Sequence, residues 1–218
     1  MTNLTKDDLI DKLDREVENL TDEGYKPVRG RALSENLEKI NFRTMLYNMP
    51  MSDEMIEALC AKDNVLDELY KMALSTDEIN DYFDFVADYA ANAEHEHVAN
   101  KLYGRLADEY NEYIDGVKKL PPEKIIDEAY KITMSSDIKF SFDDCSKFST
   151  EQLKAIMSLE NPLWELYQEW QDRDCTYMDS ITEMIEEVAD NHIENSEENT
   201  FEIGDYAIEG EAEDGQEP

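Results

Sequence analysis

The chain has 218 residues, 41% of them hydrophobic and 10% aromatic, so it can bury a core as one domain or as two small ones. Its 54 acidic residues against 20 basic ones give a formal net charge of -34. Because phosphate backbones and anionic lipids repel carboxylates, this charge argues against direct binding of nucleic acid or membrane and favours a basic protein as the partner.

The amino-terminal residues lack the charged and then apolar pattern of a signal peptide, and no apolar run reaches the roughly 18 residues of a membrane span. The three cysteines, Cys60, Cys145 and Cys175, have neither metal-site nor redox spacing. An odd number of such thiols is typical of a reducing compartment. The sequence therefore predicts a cytoplasmic protein with free thiols.

Apolar residues recur at intervals of three and four along the chain, which predicts helices rather than strands. The first helix is expected to begin with Thr5 and Asp8 as a capping box. Its buried face is predicted to carry Leu9, Leu13, Val17 and Leu20.

Two further capping boxes predict helix starts, one of Ser75 with Glu78 and one of Ser149 with Gln152. The Pro121–Pro122 pair marks the start of a segment that runs over residues 123–132. The predicted fold class is all-α.

The chain contains an internal similarity, because residues 51–70 align without a gap on residues 148–167. Farther on, residues 77–88 resemble residues 179–190. The identical positions of the first match are Ser52, Glu54, Ala58, Asn64, Leu66, Glu68, Leu69 and Tyr70, which align with Ser149, Glu151, Ala155, Asn161, Leu163, Glu165, Leu166 and Tyr167. This pattern predicts two tandem copies of a small multi-helix unit.

The predicted copies are residues 1–94, the more divergent one, and residues 95–193, and an acidic tail follows at 194–218. The end of the chain is rich in Asp and Glu, which predicts disorder in the isolated tail. Within it, residues 201–208 include Phe201 and Tyr206 and form either a short docking strand or hairpin or a loosely packed end of the fold.

Motifs of the second copy carry a family resemblance. They are Leu-Pro-Pro-Glu-Lys-Ile-Ile-Asp-Glu-Ala-Tyr at 120–130, Ser-Thr-Glu-Gln-Leu-Lys-Ala-Ile at 149–156, Asn-Pro-Leu-Trp-Glu-Leu-Tyr at 161–167 and Met-Asp-Ser-Ile at 178–181. Residues 97–192 resemble a family of bacterial domains of unknown function, carried by conjugative elements and phages of gut Firmicutes. The first copy lacks the Pro-Pro-Glu motif. The resemblance transfers no catalytic residue, and it implies a mobile-element setting in which small acidic proteins counter CRISPR or restriction systems.

Acidic residues form the sharpest candidate site, at helical spacing near the end of each copy. These residues are Asp77, Asp81, Asp84 and Asp88 in the first copy, and Asp179, Glu183, Glu186 and Asp190 in the second. Such rows have a spacing close to that of phosphates along a nucleic-acid strand, so they favour nucleic-acid mimicry. They are equally typical of a solvated helix face, and the sequence leaves both interpretations open.

Trp164 is a second candidate for partner binding, because Asp67 stands at the aligned position of the first copy, which the alignment predicts to face water. His95 and His97 point away from each other on a helix, which argues against a metal site, and His192 has no obvious partner. No calcium loop, phosphate-binding loop or Ser/His/Asp arrangement is present. No metal, cofactor or enzymatic activity is expected.

The leading hypothesis is an acidic, non-enzymatic inhibitor that occupies the nucleic-acid channel of a host defence protein, such as a CRISPR nuclease or a restriction enzyme. Its binding residues would be the two acidic rows together with Trp164, Phe201 and Tyr206. The alternative is a general protein-interaction or assembly module of a mobile element in which acidity serves only solubility. A homo-oligomer is compatible with both.

Overall fold

A computed structural model describes residues 4–22, 31–172 and 179–205, and within them every regular element is helical. This confirms the predicted all-α class. The helices are α1 (Lys6–Asp22), α2 (Arg31–Asn48), α3 (Asp53–Ala61), α4 (Val65–Ser75), α5 (Tyr82–Val117), α6 (Pro122–Asp127), α7 (Ala129–Phe140), α8 (Thr150–Ser158), α9 (Pro162–Asp172) and α10 (Asp179–Asp205).

The chain forms two compact units, Met1–Val98 and Ala99–Pro218, and α5 contributes to both. In the aligned segments, α3 and α8 begin and end at matching positions, as do α4 and α9. The duplication itself, with its division between residues 94 and 95, stays a prediction.

The core of unit 1 is built on α1, whose Leu9 and Leu13 are fully buried as predicted. Val17 packs against the same cluster, and the side chain of Leu20 lies outside the described residues. At the start of α1 the carboxylate of Asp8 accepts hydrogen bonds from the backbone N–H and the hydroxyl of Thr5, each at 2.7 Å. The predicted capping box is therefore present.

The helix start predicted at Ser75 and Glu78 is wrong. Ser75 is the last residue of α4, and α5 begins only at Tyr82. Asp81 caps α5, because its Oδ1 accepts the N–H groups of Phe83 at 2.7 Å and Asp84 at 3.2 Å. A short Asp side chain satisfies free N–H groups at a helix start, so this cap decides the boundary.

The core of unit 2 is formed by its part of α5 together with α7 to α10. Its fully or almost fully buried apolar residues include Leu102, Leu106, Ile138, Phe142, Leu153, Leu163 and Ile185. The capping box of Ser149 and Gln152 starts α8 as predicted. The segment predicted after the Pro121–Pro122 pair is divided between α6 and α7 at Glu128.

Each unit contains a cationic and an acidic side chain, one helical turn apart, that bind the end of one helix and the start of the next. In unit 1, Lys12 donates to the carbonyl oxygens of Leu59 at 2.9 Å and Cys60 at 3.1 Å, and also to that of Lys62, at the end of α3. One turn later, the carboxylate of Glu16 accepts two N–H groups at the start of α4, at 3.2 and 2.9 Å. These contacts satisfy backbone groups that helix ends leave without partners.

In unit 2 the same arrangement uses Arg105 and Glu109. The guanidinium of Arg105 donates to the carbonyl oxygens of Met157 at 2.6 Å and Leu159 at 2.8 Å, and also to that of Glu160. Glu109 accepts the N–H of Leu163 at 3.0 Å. Burial raises the pKa of Glu109, although this hydrogen bond and the nearby Arg105 act in the opposite direction.

Candidate functional site

The prediction that Asp77, Asp81, Asp84 and Asp88 share one helix face is wrong. Asp77 precedes α5 in an irregular segment, and Asp81 is the capping residue just before that helix. Only Asp84 and Asp88 lie on α5, and both are exposed. Phe83, in the first turn of α5, is 43% exposed.

The acidic row of the second copy lies on one helix, α10, as predicted. Glu183 and Asp190 are exposed and Glu186 is half-buried, whereas the side chain of Asp179 lies outside the described residues. Asp190 accepts a hydrogen bond of 3.1 Å from the amide of Gln152. This row therefore presents fewer free carboxylates than its sequence suggests.

Phe201 and Tyr206 are the predicted binding residues near the carboxyl terminus. Residues 201–205, including Phe201, continue α10, so of the two alternatives for this segment the strand or hairpin is wrong for them. The side chain of Phe201 and the whole of Tyr206 lie outside the described residues.

Trp164, on α9, is half-buried and packs edge-on against two tyrosines of unit 2. Its ring centroid lies 4.9 Å from that of Tyr113 and 6.2 Å from that of Tyr167, with interplanar angles of 72° and 82°. Such edge-to-face contacts are favourable for aromatic pairs. The three rings form a small cluster, which we call the aromatic cage.

The ammonium group of Lys131, on α7, lies against all three rings of the aromatic cage. Its nitrogen is 4.5 Å from the Trp164 centroid, 4.8 Å from that of Tyr113 and 5.5 Å from that of Tyr167. These distances are those of cation–π interactions, in which the face of the ring attracts a positive charge. The aromatic cage therefore already holds an ammonium ion.

Asp67, the residue aligned with Trp164, does not simply face water as the alignment predicted. Its carboxylate lies 2.6 Å from the ammonium of Lys39 and 2.8 Å from that of Lys71. The hydrogen bond with Lys39 lowers the pKa of Asp67. Burial alone would lower the pKa of Lys39, but its hydrogen bonds with Asp67 and Glu35 outweigh burial and raise it.

Two open pockets adjoin the aromatic cage, and Trp164 and Asn161 line both. The smaller, of about 370 Å³, is lined by Glu109, Glu112, Tyr113, Lys131, Asn161 and Trp164. The larger, of about 710 Å³, is lined by Ser158, Leu159, Glu160, Asn161, Trp164, Glu165, Gln168 and His192. Each pocket thus has two carboxylates in its wall.

A hydrogen bond holds one wall of the aromatic cage in place. The phenol of Tyr113 donates to the carboxylate of Glu128 at 2.6 Å. Burial, together with this bond, raises the pKa of Tyr113, and burial also raises that of Tyr167. Both rings therefore keep their phenolic protons at neutral pH and add no negative charge of their own.

His192 has a partner that the sequence did not indicate. Its Nε2 lies 2.7 Å from the hydroxyl of Ser158, and that hydroxyl also donates to the carbonyl oxygen of Ala155 at 2.7 Å. Which of the two groups donates depends on the tautomer of His192. The contact joins the last residue of α8 to α10.

The other two histidines, His95 and His97, lie on α5. His97 lies 3.4 Å from the carboxylate of Glu57. Over residues 4–22, 31–172 and 179–205, no three His, Cys, Asp or Glu side chains form a group able to hold a metal ion. Cys60 and Cys145 are free, and burial raises the pKa of both thiols, whereas Cys175 lies outside the described residues.

Sequence reasoning identified Trp164 but missed the residue that it surrounds, Lys131. Tyr167 was expected only as a repeated position. The usable signal was the exchange of a carboxylate for an indole at aligned positions 67 and 164, because it changes the group that a nearby lysine can contact from a carboxylate in unit 1 to an aromatic ring in unit 2.

No helix in the described part of the chain combines the length and apolar character needed to cross a membrane. Comparison with other proteins finds no curated protein and no solved structure that matches the chain. One domain family does match, in agreement with the resemblance noted for residues 97–192. Residues 98–193, which contain the aromatic cage and both pockets, are similar to the family described as "Protein of unknown function (DUF3848)".

Proposed function

We propose that this chain is a non-enzymatic, cytoplasmic protein-binding module that uses the aromatic cage of unit 2 and its two pockets to bind a positively charged surface of another protein. The observation that carries the proposal is the position of Trp164. It is a half-buried indole between two pockets whose walls contain Glu109, Glu112, Glu160 and Glu165.

This combination suits a protein interface. Trp is the residue most often found as an energetic anchor of interfaces, where it fills a desolvated position and neighbouring groups exclude water. The carboxylates around it favour a cationic partner, and the net charge of -34 increases the rate of encounter with such a partner. The indole then supplies affinity and the acids supply selectivity.

Affinity capture from a lysate of the organism that encodes the chain tests this proposal. Wild-type protein is expected to retain a basic protein, and Trp164→Ala is expected to bind it at least about 30-fold more weakly, the effect of removing an interface anchor. Calorimetry with the purified partner at low and high salt gives the dissociation constants of the wild-type and Trp164→Ala proteins, which are then compared.

The matched control is Phe140→Ala, which removes another aromatic ring of unit 2 that is 61% exposed and lies outside both pockets. It should bind the partner like the wild type. Equal affinity of the Trp164→Ala and wild-type proteins, with unchanged circular dichroism, would exclude the aromatic cage as the binding surface.

The second candidate function is inhibition of a nucleic-acid-binding host defence protein, such as a CRISPR nuclease or restriction enzyme, by nucleic-acid mimicry in a mobile-element setting. The exposed carboxylates of Asp84 and Asp88 on α5 and of Glu183 and Asp190 on α10 support it. With the first row shortened, this proposal depends on fewer acids than the sequence suggested.

Competition distinguishes the two candidates. Mimicry predicts that duplex DNA displaces the chain from its partner and that neutralising the four exposed acids, by Asp→Asn and Glu→Gln, weakens inhibition of the nuclease. It also predicts that Trp164→Ala retains inhibition. A complex insensitive to added DNA and to the four neutral substitutions would rule out occupation of phosphate sites.

A further inference from the structure

We propose that the aromatic cage of unit 2 is a binding site for the side-chain ammonium of a lysine on the partner, and that Lys131 occupies the site until this lysine displaces it. The proposal rests on the proposed function and names the chemical group that is recognised. Its support comes from contacts within unit 2 and from a comparison of the two units, each taken by itself.

Unit 1 contains a comparable lysine site, in which the lysine cannot be exchanged for another cation. Lys39 is 2% exposed, its ammonium lies 5.5 Å from the centroid of Tyr70, and it forms ion pairs with Asp67 at 2.6 Å and Glu35 at 2.7 Å. Two carboxylates at hydrogen-bonding distance hold this lysine in place. A second ammonium has no way to replace it without leaving a buried charge unpaired.

Unit 2 keeps the tyrosine, has a lysine from a different sequence position beside it, and replaces the carboxylate. Tyr167 aligns with Tyr70, and Lys131 lies 5.5 Å from its centroid, the same distance as in unit 1. At the position of the carboxylate stands Trp164, whose centroid is 4.5 Å from the Lys131 ammonium. Over the described residues, this ammonium has aromatic rings for partners and no carboxylate within 4.0 Å.

Because Trp164 stands in place of a carboxylate, another ammonium ion can take the place of the Lys131 ammonium. The face of an aromatic ring attracts any ammonium ion and imposes little directional preference. An incoming lysine therefore forms cation–π contacts like those that Lys131 loses. The displaced Lys131 is a long and flexible side chain that is only half-buried, so it can extend into solvent. The exchange therefore needs no rearrangement of the helices.

The surroundings of the aromatic cage select a cation. Lys131, Tyr113 and Trp164 line the smaller pocket together with the carboxylates of Glu109 and Glu112, which gives access from solvent and repels anionic ligands. Aromatic faces with nearby carboxylates are complementary to an ammonium group, either the primary amine of lysine or a methylated form of it. An apolar group would gain nothing from the carboxylates, and an anionic group would be repelled by them.

The test is an NMR titration of the full chain with three small probes that follows the indole N–H of Trp164. The probes are N-acetyl-lysine amide, its ε-trimethylated form and the neutral analogue with a tert-butyl group in place of trimethylammonium. Because no probe carries more than one charge, the general attraction of this acidic chain for polycations is avoided. The two indole signals are assigned by comparison with Trp164→Phe.

Both cationic probes are expected to shift the Trp164 signal in a saturable way, and the neutral analogue is not. The ratio of the two cationic affinities shows whether the primary or the methylated amine is preferred. Lys131→Ala, which empties the aromatic cage, should bind the cationic probes about tenfold more tightly than wild type. Equal affinity for the neutral analogue, or no gain with Lys131→Ala, would overturn the proposal.

Trp164→Asp is the sharpest variant, because it gives unit 2 the residue that unit 1 has. Lys131 should then form an ion pair like that of Lys39 with Asp67, so the melting temperature stays near that of wild type while the probes no longer bind. Trp164→Leu, which keeps an apolar side chain without the charge-attracting ring face, should also lose binding. Retained binding by a folded Trp164→Leu protein would contradict the proposal.

The experiments distinguish a failure of the proposed function from a failure of the proposed ammonium site. If Trp164→Ala loses the captured partner but no cationic probe binds, the partner uses the surface without placing a lysine in the aromatic cage, and only the present inference is wrong. If the probes bind as expected but capture is unaffected by Trp164→Ala, the proposed function is wrong and the ammonium site stands.

Discussion

Replacing Phe142 with alanine is expected to lower the free energy of unfolding of unit 2 by about 4 kcal/mol, the usual cost of removing a buried aromatic side chain and leaving a cavity. Phe142 is 1% exposed, and its ring stacks on that of Phe148 with the centroids 5.2 Å apart. Urea unfolding measured by tryptophan fluorescence gives this quantity, because Trp164 and Trp170 both belong to unit 2.

The chain offers a matched control two residues away. Phe140→Ala makes the same chemical change at a side chain that is 61% exposed, so it should alter the free energy of unfolding by no more than about 0.5 kcal/mol. Similar losses from both substitutions would show that the two rings do not differ in burial, which would contradict the packing described for this part of the core.

Replacing Arg105 with methionine is expected to cost unit 2 about 3 kcal/mol. The substitution removes hydrogen bonds from a charged donor to the carbonyl oxygens at the end of α8, including Met157 at 2.6 Å and Leu159 at 2.8 Å. It also removes the guanidinium that lies 3.6 Å from the carboxylate of Glu109. Hydrogen bonds to charged groups contribute about 1.5–3 kcal/mol each, and carbonyls partly open to water recover some of this.

The same unfolding experiment measures this loss, with Lys118→Met as the control. Lys118 is a cation on a 69% exposed side chain that pairs only locally with Asp115, so its loss should change the free energy of unfolding by less than about 0.5 kcal/mol. Lys12→Met provides a parallel test in unit 1, followed by circular dichroism. An Arg105 variant as stable as the Lys118 variant would show that the contact with the end of α8 contributes nothing.

Local features were the most predictable part of the fold. The capping boxes at Thr5 and Ser149 and the buried positions Leu9 and Leu13 follow from residue type and helical spacing within a few turns. Such signals involve neighbours in the chain, so the sequence contains all of the information that they need.

The predictions that failed involve a choice between several local signals. Both Ser75 and Asp81 are capable caps, and the helix starts at Asp81, so Asp77 falls outside α5 and the four-residue acidic row is broken. Which cap is used depends on which apolar residues can then reach the core, Val86 and Ala90 among them. Helical spacing alone does not decide that.

The sequence by itself determined the helical class, the acidity that favours a cationic partner, and the exchange of Asp67 for Trp164 between aligned segments. Only the tertiary structure decided what the exchange does, because Lys131 and Tyr113 reach Trp164 from other helices, α7 and α5. The Lys131 ammonium lies against three aromatic rings, and which rings surround it depends on packing between residues far apart in the chain. The acidic character of the chain is thus a property of composition, whereas its most specific cation site is a property of the fold.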